Sequence, residues 1–266
     1  MPSTPPTVRE HFETPEIVLA SQSTAMSGLW EAELRALETD VHDGSVGDVC
    51  VGDDVARGTV LVDLGCGAGR SSIALAPFFE EVVLMDLSPR MLEIAAAGVA
   101  AARGGPEGVT VDRLDLHEEL GTGPVRPLPT APQEGWEGAL NRAELATAGN
   151  VLCYVRGRDA RVRMLRAVLA RLGPQARLLV ANHVAPPEGV QELQDMARSA
   201  GEDPAALGED ALLDTHSDDG SFVHWFTPES LAAELGEAAD GTVDLKVSED
   251  GLRAAALLSS AAAAGA

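Results

Sequence analysis

The chain has 266 residues, of which 45% are hydrophobic and 23% charged, a composition that supports a buried core and excludes compositional disorder. Forty-two acidic residues against 19 basic ones give a net charge of −23, and Lys246 is the single lysine, so a nucleic-acid substrate is disfavoured. No apolar run approaches the roughly 20 residues of a membrane span, and the first residues lack a secretory-signal pattern, so we expect a cytoplasmic protein. Three widely spaced cysteines and six scattered histidines predict neither a disulfide framework nor a metal site.

The first 55 residues are predicted to form an N-terminal helical cap and a linker, and residues 56–266 a second domain. Residues 1–16 are rich in proline and threonine and are expected to be irregular, whereas a helical pattern begins near residue 17. Residues 42–58 carry four glycines and four aspartates, which indicates a surface linker. One predicted helical face carries Trp30, Leu34, Leu37 and Val41.

Strands and helices alternate after the linker. Thr59–Leu64 is a short apolar run typical of a buried parallel strand, and a glycine-rich loop at 65–69 follows it. Ser88 and Pro89 provide an N-cap and a first-turn proline for a later helix. Further strands are predicted at Glu81–Met85 and Val109–Leu114, and helices at Arg70–Phe79 and Met91–Arg103.

The second half of the chain continues this alternation. Residues 121–138 are predicted to be a loop. Gly173 and Pro174 are predicted to end the helix that precedes them, at 159–172. Thr227 and Pro228 mark the start of a late helix. The remaining predictions are strands at Ala146–Tyr154, Ala176–Ala181, 242–247 and 253–258, the last two ambiguous with helix, and helices at 159–172 and, interrupted, at 188–213.

This alternation predicts an α/β fold with a doubly wound parallel sheet and right-handed crossovers. In such sheets the ligand lies beyond the carboxyl ends of the strands. The loop at 65–69, Asp86, Asp115 and residues 150–154 are therefore expected around one crevice.

The glycine loop restricts the ligand class. Gly65, Gly67 and Gly69 follow a strand and open a helix, where glycine permits close approach of a ligand to the main chain. Arg70 stands where the dinucleotide pattern has its third glycine. Asp63, just before the loop, would repel a pyrophosphate and suits a cationic amino group.

Two later carboxylates extend this interpretation. Asp86 ends the second strand, where an acidic side chain can accept both hydroxyls of a ribose. Asp115 follows the third strand and could accept a hydrogen bond from an adenine amino group. An adenosine ligand with a positively charged amino-acid tail fits all these features.

Five segments resemble the class I S-adenosylmethionine-dependent methyltransferases: VDLGCGAGR, VVLMDLSPRML, VDRLDLH, NVLCYV and ARLLVANHV. The resemblance covers roughly residues 59–260 and is strongest over 60–116. It implies a Rossmann-like, mostly parallel seven-stranded sheet with an N-terminal helical cap. It also implies methyl transfer from S-adenosyl-L-methionine, with S-adenosyl-L-homocysteine as product, and the net charge favours a small molecule as acceptor. The chain departs from the family before the fourth strand, at 143–149, and in the long proline-rich stretch at 117–142.

The resemblance assigns the cofactor-binding residues. It places Asp86 on the ribose, Leu87 beside the adenine, and Asp115 and Leu116 flanking the adenine. The residues implied near the methionine moiety are Asp63, Gly65, Gly67, Asn150 and Val151, and the predicted set also contains Cys66, Gly69 and Met91.

The acceptor side is less determined by sequence. Tyr154 is either an aromatic face near the sulfonium, with a catalytic and acceptor-binding role, or a core residue. Trp30 either packs in the core or covers the cofactor or the acceptor. His183 and His224 are candidate general bases, with structural roles as the alternative. A cysteine nucleophile is disfavoured.

Three other functions remain open at the level of sequence. The same motifs would serve cyclisation or aminocarboxypropyl transfer, which release methylthioadenosine. A nicotinamide-dependent dehydrogenase is disfavoured by the glycine spacing. A catalytically silent cofactor-binding protein would show no turnover. The sequence does not choose among oxygen, nitrogen and carbon acceptors, and it fits a monomer or a homodimer without nucleic-acid or membrane partners.

Overall fold

The computed structural model describes residues 12–25, 27–39, 58–116, 135–199, 201, 203, 211–216 and 222–259. Val41, most of the predicted linker at 42–58 and most of the predicted loop at 121–138 lie outside the described residues.

A seven-stranded sheet forms the centre of the described fold. Its strands are β1 (Gly58–Leu64), β2 (Phe79–Asp86), β3 (Val109–Arg113), β4 (Leu145–Gly149), β5 (Arg177–His183), β8 (Lys246–Val247) and β9 (Arg253–Ser259), and a separate hairpin holds β6 (Asp214–His216) and β7 (Phe222–His224). The strand order of the sheet is β3-β2-β1-β4-β5-β9-β8; the first five are parallel, and β9 runs antiparallel to β5 and β8. The prediction of a mostly parallel, doubly wound α/β sheet is confirmed.

Helices cover both faces of the sheet. Because side chains alternate along a strand, Val60, Val62 and Leu64 of β1 pack on one face and Leu61 on the other. The helices are α1 (Pro15–Ala25), α2 (Glu31–Thr39), α3 (Arg70–Leu75), α4 (Pro89–Arg103), α5 (Trp136–Arg142), α6 (Arg158–Leu169), α7 (Pro187–Ser199) and α8 (Pro228–Ala238). Helices α5, α6 and α8 pack on the face of Val60, and α2, α3 and α4 pack on the face of Leu61.

Two helix starts follow the predicted capping chemistry. The Ser88 hydroxyl accepts a hydrogen bond from the Met91 N–H at 3.3 Å, and Pro89 occupies the first turn of α4. Thr227 and Ser230 form a reciprocal capping box at α8.

Some element boundaries differ from the sequence-based expectations. The predicted fourth strand stops at Gly149, because Asn150 adopts a left-handed conformation with φ of 55° and a 3-10 turn (Leu152–Tyr154) follows. The predicted helix after the glycine loop ends at Leu75, and Phe79 already belongs to β2. Helix α1 begins at Pro15, inside the stretch expected to be irregular.

The predicted apolar face of the N-terminal helix is only partly correct. Trp30 and Leu37 are buried, but Leu34 is 46% exposed. Ala32, Ala36 and Glu33 are buried instead, so α2 turns a carboxylate towards the protein interior.

Candidate functional site

A cavity of about 660 Å³ opens at the carboxyl ends of the parallel strands. The glycine loop and the ends of β2 and β4 form its walls, and Phe12 with residues of α1 lines another side. This cavity, called the loop cavity below, contains most of the sequence-predicted site residues: Gly65, Cys66, Gly67, Asp86, Leu87, Asp115, Leu116, Asn150, Val151, Tyr154 and His183.

The glycine loop presents bare main chain to the loop cavity. Gly65 and Gly67 have φ of 64° and 52°, backbone conformations that residues with a side chain rarely adopt. A Cβ at Gly65 would lie 2.6 Å from Cγ2 of Val151, so a larger residue would collide with the β4 side of the cavity. A Cβ at Gly67 would meet no protein atom within 4 Å. The loop therefore leaves room for a ligand against the backbone.

Asp86 joins the end of β2 to the glycine loop. Its Oδ2 accepts a hydrogen bond from the Gly67 N–H at 2.9 Å, and its Oδ1 accepts one from the Ser88 N–H at 2.8 Å. Burial raises the pKa of this carboxyl, and the backbone hydrogen bonds partly oppose that rise. Each carboxylate oxygen has a second lone pair. Asp86 can therefore hold the loop and also accept hydrogen bonds from a ligand.

Asp63 lies behind the loop rather than in the cavity. Its carboxylate accepts hydrogen bonds from the hydroxyls of Thr147, at 2.6 Å, and Ser72. Only 2% of the residue is exposed, and burial raises its pKa to about 6. Asp63 thus connects β1 to β4 and α3 in the interior, and the structure does not bring it to the cavity wall.

Gly69 and Met91 are also placed behind the cavity wall. A Cβ at Gly69 would lie 3.1 Å from Ala95, so this glycine allows α3 to approach α4 closely. Met91 is fully buried and packs with Val18 and Ala68 beneath α1. The predicted cofactor contacts of both residues receive no support from the cavity lining.

Asn150 connects the ends of β4 and β5. Its N–H donates to the Ala181 carbonyl at 2.8 Å, and its Oδ1 accepts from the His183 N–H at 3.1 Å. Asparagine tolerates the left-handed backbone conformation better than most residues do. Asn150 therefore fixes the backbone of His183 at the edge of the cavity.

Tyr154 lines the loop cavity, where its ring meets the edge of Phe12 with the ring centroids 4.9 Å apart. Burial raises the pKa of its phenol, so the hydroxyl stays protonated over the ordinary pH range. The ring is thus a neutral aromatic surface of the site.

Arg70 is a site residue that sequence reasoning missed, although it directly follows the glycine loop. It lines the loop cavity, and its guanidinium forms two hydrogen bonds with the Glu33 carboxylate at 2.6 and 2.7 Å. It also donates to the Gly28 carbonyl at 3.0 Å and lies 4.0 Å from the ring centroid of Trp30. Arg70 therefore joins α3 to the segment before α2.

Trp30 lies beside this ion pair and does not line the loop cavity. Its ring centroid is 4.8 Å from that of His183, and Arg253 approaches the same indole at 5.3 Å. Burial, Arg253 and Arg70 lower the pKa of His183, while a hydrogen bond to the Leu252 backbone acts in the opposite direction. His183 is therefore neutral at neutral pH, as a general base must be.

His224 is placed away from the loop cavity. It is buried in β7, its Nδ1 lies 2.7 Å from Oδ1 of Asp214, and its ring packs against Phe226. The structure does not bring this predicted base together with His183.

Helix α1 supplies the other lining that was not predicted. Ile17, Ser21 and Thr24 face the loop cavity at helical spacing. Their helical spacing was the only signal in the sequence for this lining. It predicts that the three side chains share one face of a helix, but not that this face lies over the cavity. Arg156 also lines the cavity, beyond Tyr154.

Within the described part of the chain, no group of three or more histidine, cysteine, aspartate or glutamate side chains is arranged to hold a metal ion. None of the helices in the described ranges combines the length and the apolar character needed to cross a membrane.

The comparisons with known proteins agree with this geometry. Residues 62–178 match a family model described as a methyltransferase domain. No curated protein sequence matches the chain.

Two solved structures share the fold. One is magnesium protoporphyrin IX methyltransferase from Synechocystis PCC 6803 with bound S-adenosylhomocysteine, at 14% identity and a TM-score of 0.54, covering 95% of this chain and 97% of that one. The other is LepI in complex with S-adenosylmethionine, at 15% identity and a TM-score of 0.50, covering 94% of this chain and 54% of that one. At such low identity these structures show a common fold.

Proposed function

We propose that the loop cavity binds S-adenosylmethionine for methyl transfer to a small molecule, because residues 62–178 match a family model described as a methyltransferase domain and the chain shares its fold with a methyltransferase that binds S-adenosylhomocysteine. The observation that carries the proposal is the bare main chain of Gly65 and Gly67 held beneath the Asp86 carboxylate. The cavity volume of about 660 Å³ is typical of small-molecule sites.

The residues of the loop cavity fit the parts of the cofactor. The second lone pairs of the Asp86 oxygens accept the ribose hydroxyls. Leu87, Asp115 and Leu116 surround the adenine, and Asn150 and Val151 lie on the methionine side. Asp63 lies behind the glycine loop and supports it. Its negative charge would therefore attract the amino group of the cofactor's methionine moiety from a distance, without a hydrogen bond to it.

S-adenosylmethionine supplies a sulfonium methyl group: a lone pair of the acceptor bonds to the methyl carbon, the carbon–sulfur bond breaks, and its electron pair stays on sulfur to leave S-adenosylhomocysteine. The neutral imidazole of His183 accepts the proton that the acceptor oxygen or nitrogen loses. Tyr154 presents an aromatic surface to the positive charge. Trp30 holds the His183 ring and is a positioning residue.

The acceptor class follows from charge and from the fold. A net charge of −23 disfavours nucleic acid as acceptor. The magnesium protoporphyrin IX methyltransferase that shares the fold is named for a small-molecule acceptor, which supports the same class here. The proposal includes a cytoplasmic monomer or homodimer, with residues 1–55 as helical cap and linker and 56–266 as the cofactor-binding domain.

Calorimetry with S-adenosylmethionine and S-adenosylhomocysteine tests the assignment of Asp86. Asp86→Ala should weaken the binding of both by more than tenfold, since two hydrogen bonds to a charged acceptor are lost. Glu93→Ala removes an exposed carboxylate from α4 and should leave both affinities unchanged. Circular dichroism shows whether each variant is folded. Unchanged affinity in a folded Asp86→Ala protein would refute the ribose contact.

Identification of the sulfur by-product tests the reaction. S-adenosylhomocysteine formed with an acceptor marks methyl transfer. Methylthioadenosine would instead mark cyclisation or aminocarboxypropyl transfer, and tight binding without turnover over an acceptor panel would mark a silent binding protein.

A further inference from the structure

Helix α7 is amphipathic but buries none of its residues. Gly189, Leu193 and Met196 lie on successive turns of one face, at a spacing that normally packs against a protein core. Met196 is 66% exposed and Leu193 only half-buried. The apolar face of α7 thus lines open space in the described structure.

That open space is a second cavity of about 470 Å³ beyond the end of β5. Three of the exposed large hydrophobic side chains meet there from separate elements: Met196, Trp225 at 37% exposure and Leu252 at 43%. Exposed apolar residues that cluster in a concave site indicate binding, whereas isolated ones do not. We call this space the α7 cavity.

The walls of the α7 cavity are held in place by hydrogen bonds. The Trp225 indole N–H donates to the Thr215 hydroxyl at 3.0 Å, and the Leu252 N–H donates to Oδ1 of Asp250 at 3.0 Å. The Leu252 carbonyl accepts from the Val184 N–H at 2.9 Å. The indole is therefore a fixed aromatic surface, as expected of a preformed ligand site.

His183 is common to both cavities: it lines the loop cavity and the α7 cavity. A molecule in the α7 cavity therefore reaches the same imidazole that the proposed reaction uses as base. This continuity distinguishes the α7 cavity from an isolated surface depression.

The charges of the α7 cavity select the occupant. Its carboxylates are Glu188 and Glu192, one turn apart on α7, and the rest of its lining besides His183 is uncharged. Carboxylates next to an apolar wall disfavour an anion and accept hydrogen bonds from hydroxyl or amine groups. The occupant is thus an apolar, ring-bearing molecule without negative charge.

We propose that the α7 cavity binds the body of the methyl acceptor, an uncharged or cationic aromatic small molecule whose hydroxyl or amine reaches His183. This inference rests on the proposed function, because only then does a neighbouring cofactor supply the methyl group.

Two naphthalene probes of equal ring size test the occupant. We expect 2-naphthol to bind the wild-type protein in saturation-transfer NMR, and the anion 2-naphthoate to bind at least tenfold more weakly. Trp225→Ala and Met196→Ala should each weaken 2-naphthol binding by fivefold or more. Leu34→Ala removes a comparably exposed side chain from α2 and should have no effect. The affinity for S-adenosylmethionine should change less than twofold in all three variants.

The relation to the cofactor is tested separately. With both ligands bound, an interligand nuclear Overhauser effect is expected between 2-naphthol and the cofactor methyl group, and it should disappear in Trp225→Ala. Absence of 2-naphthol binding, equal binding of 2-naphthoate, or full binding in Trp225→Ala would overturn the proposal. Failure of the wild-type protein to bind S-adenosylmethionine would instead overturn the proposed function, because the 2-naphthol titration is done without cofactor.

Discussion

Asp63 shows at the scale of one residue that a sequence motif predicts the position of a side chain without predicting its partners. The motif places an acid next to the glycine loop, but the structure turns its side chain towards Thr147 and Ser72. Those partners belong to β4 and α3, so the local sequence pattern around Asp63 does not predict these hydrogen bonds. The motif predicted the loop, and the tertiary structure determined what the carboxylate does.

Burial of Asp63 has a consequence for stability that depends on pH. Its pKa is raised from 3.8 to about 6, so the folded protein holds this proton more tightly than the unfolded chain. The resulting stabilisation is complete below pH 3.8 and is lost as the pH rises through 6. From about pH 4 to pH 7, the free energy of unfolding should fall by roughly 2 kcal/mol more in the wild type than in Asp63→Asn.

Urea denaturation at a series of pH values measures this difference. Asp112→Asn, on the edge strand β3, is the control and should run parallel to the wild type. A constant difference between the wild type and Asp63→Asn at every pH would contradict the raised pKa.

At the scale of elements, one ion pair connects α2 to Arg70, the residue that follows the glycine loop. The carboxylate of Glu33, on α2, receives both hydrogen bonds from Arg70 and a further one from the Trp30 N–H at 2.7 Å. Both side chains are nearly inaccessible, at 10% for Arg70 and 1% for Glu33. Removal of one partner would leave a buried charge without compensation.

Glu33→Gln should therefore destabilise the protein by about 3 kcal/mol or more, since the charge of Arg70 loses its carboxylate. Glu31→Gln removes an exposed carboxylate from the same helix and should cost less than about 1 kcal/mol. Chemical denaturation gives both values, and hydrogen exchange should show faster opening of α2 in Glu33→Gln only. Equal losses in the two variants would mean that the buried pair contributes no more than a surface one.

Elements with a strong local signal were predictable from sequence. β1, β2 and β5 are continuous apolar runs, and α4 carries its own cap at Ser88. The end of β4 was not predictable, because the apolar run continues through the 3-10 turn that Asn150 initiates. The contact of α1 with the loop cavity depends on packing between distant segments, which periodicity does not encode.

At the scale of the whole molecule, alternation of strands and helices was enough to predict the parallel sheet. The antiparallel position of β9 between β5 and β8 was not predicted, since the alanine-rich sequence of β9 is also compatible with a helix and carries no signal for strand direction. Most of the predicted cofactor-binding residues line one cavity because the sheet topology brings the strand ends together, and their contact with a cofactor stays a prediction. Of the candidate acceptor-side residues, Tyr154 and His183 line the same cavity, whereas Trp30 and His224, which come from distant segments, do not.

The acidic surface of the molecule predicts a dependence of stability on salt. With 42 acidic and 19 basic residues, repulsion between like charges opposes the compact state. Raising sodium chloride from about 0.05 to 0.5 M screens that repulsion and should add about 1–2 kcal/mol, or roughly 2–8 °C in Tm. Differential scanning fluorimetry measures the shift. A Tm that falls with salt would mean that attractive ion pairs dominate.

Lys246, the single lysine, gives the molecule one lysine side chain for chemical labelling. Its Nζ lies 2.6 Å from Oδ2 of Asp244, and it belongs to β8, the edge strand of the sheet. Four strand spacings separate β8 from β1, which is roughly 19 Å across the sheet. An amine-reactive fluorophore would therefore reach one lysine side chain per molecule, well away from the glycine loop, besides the α-amino group of the chain. With the α-amino group blocked first, counting photobleaching steps of that dye would reveal how many subunits an assembly contains.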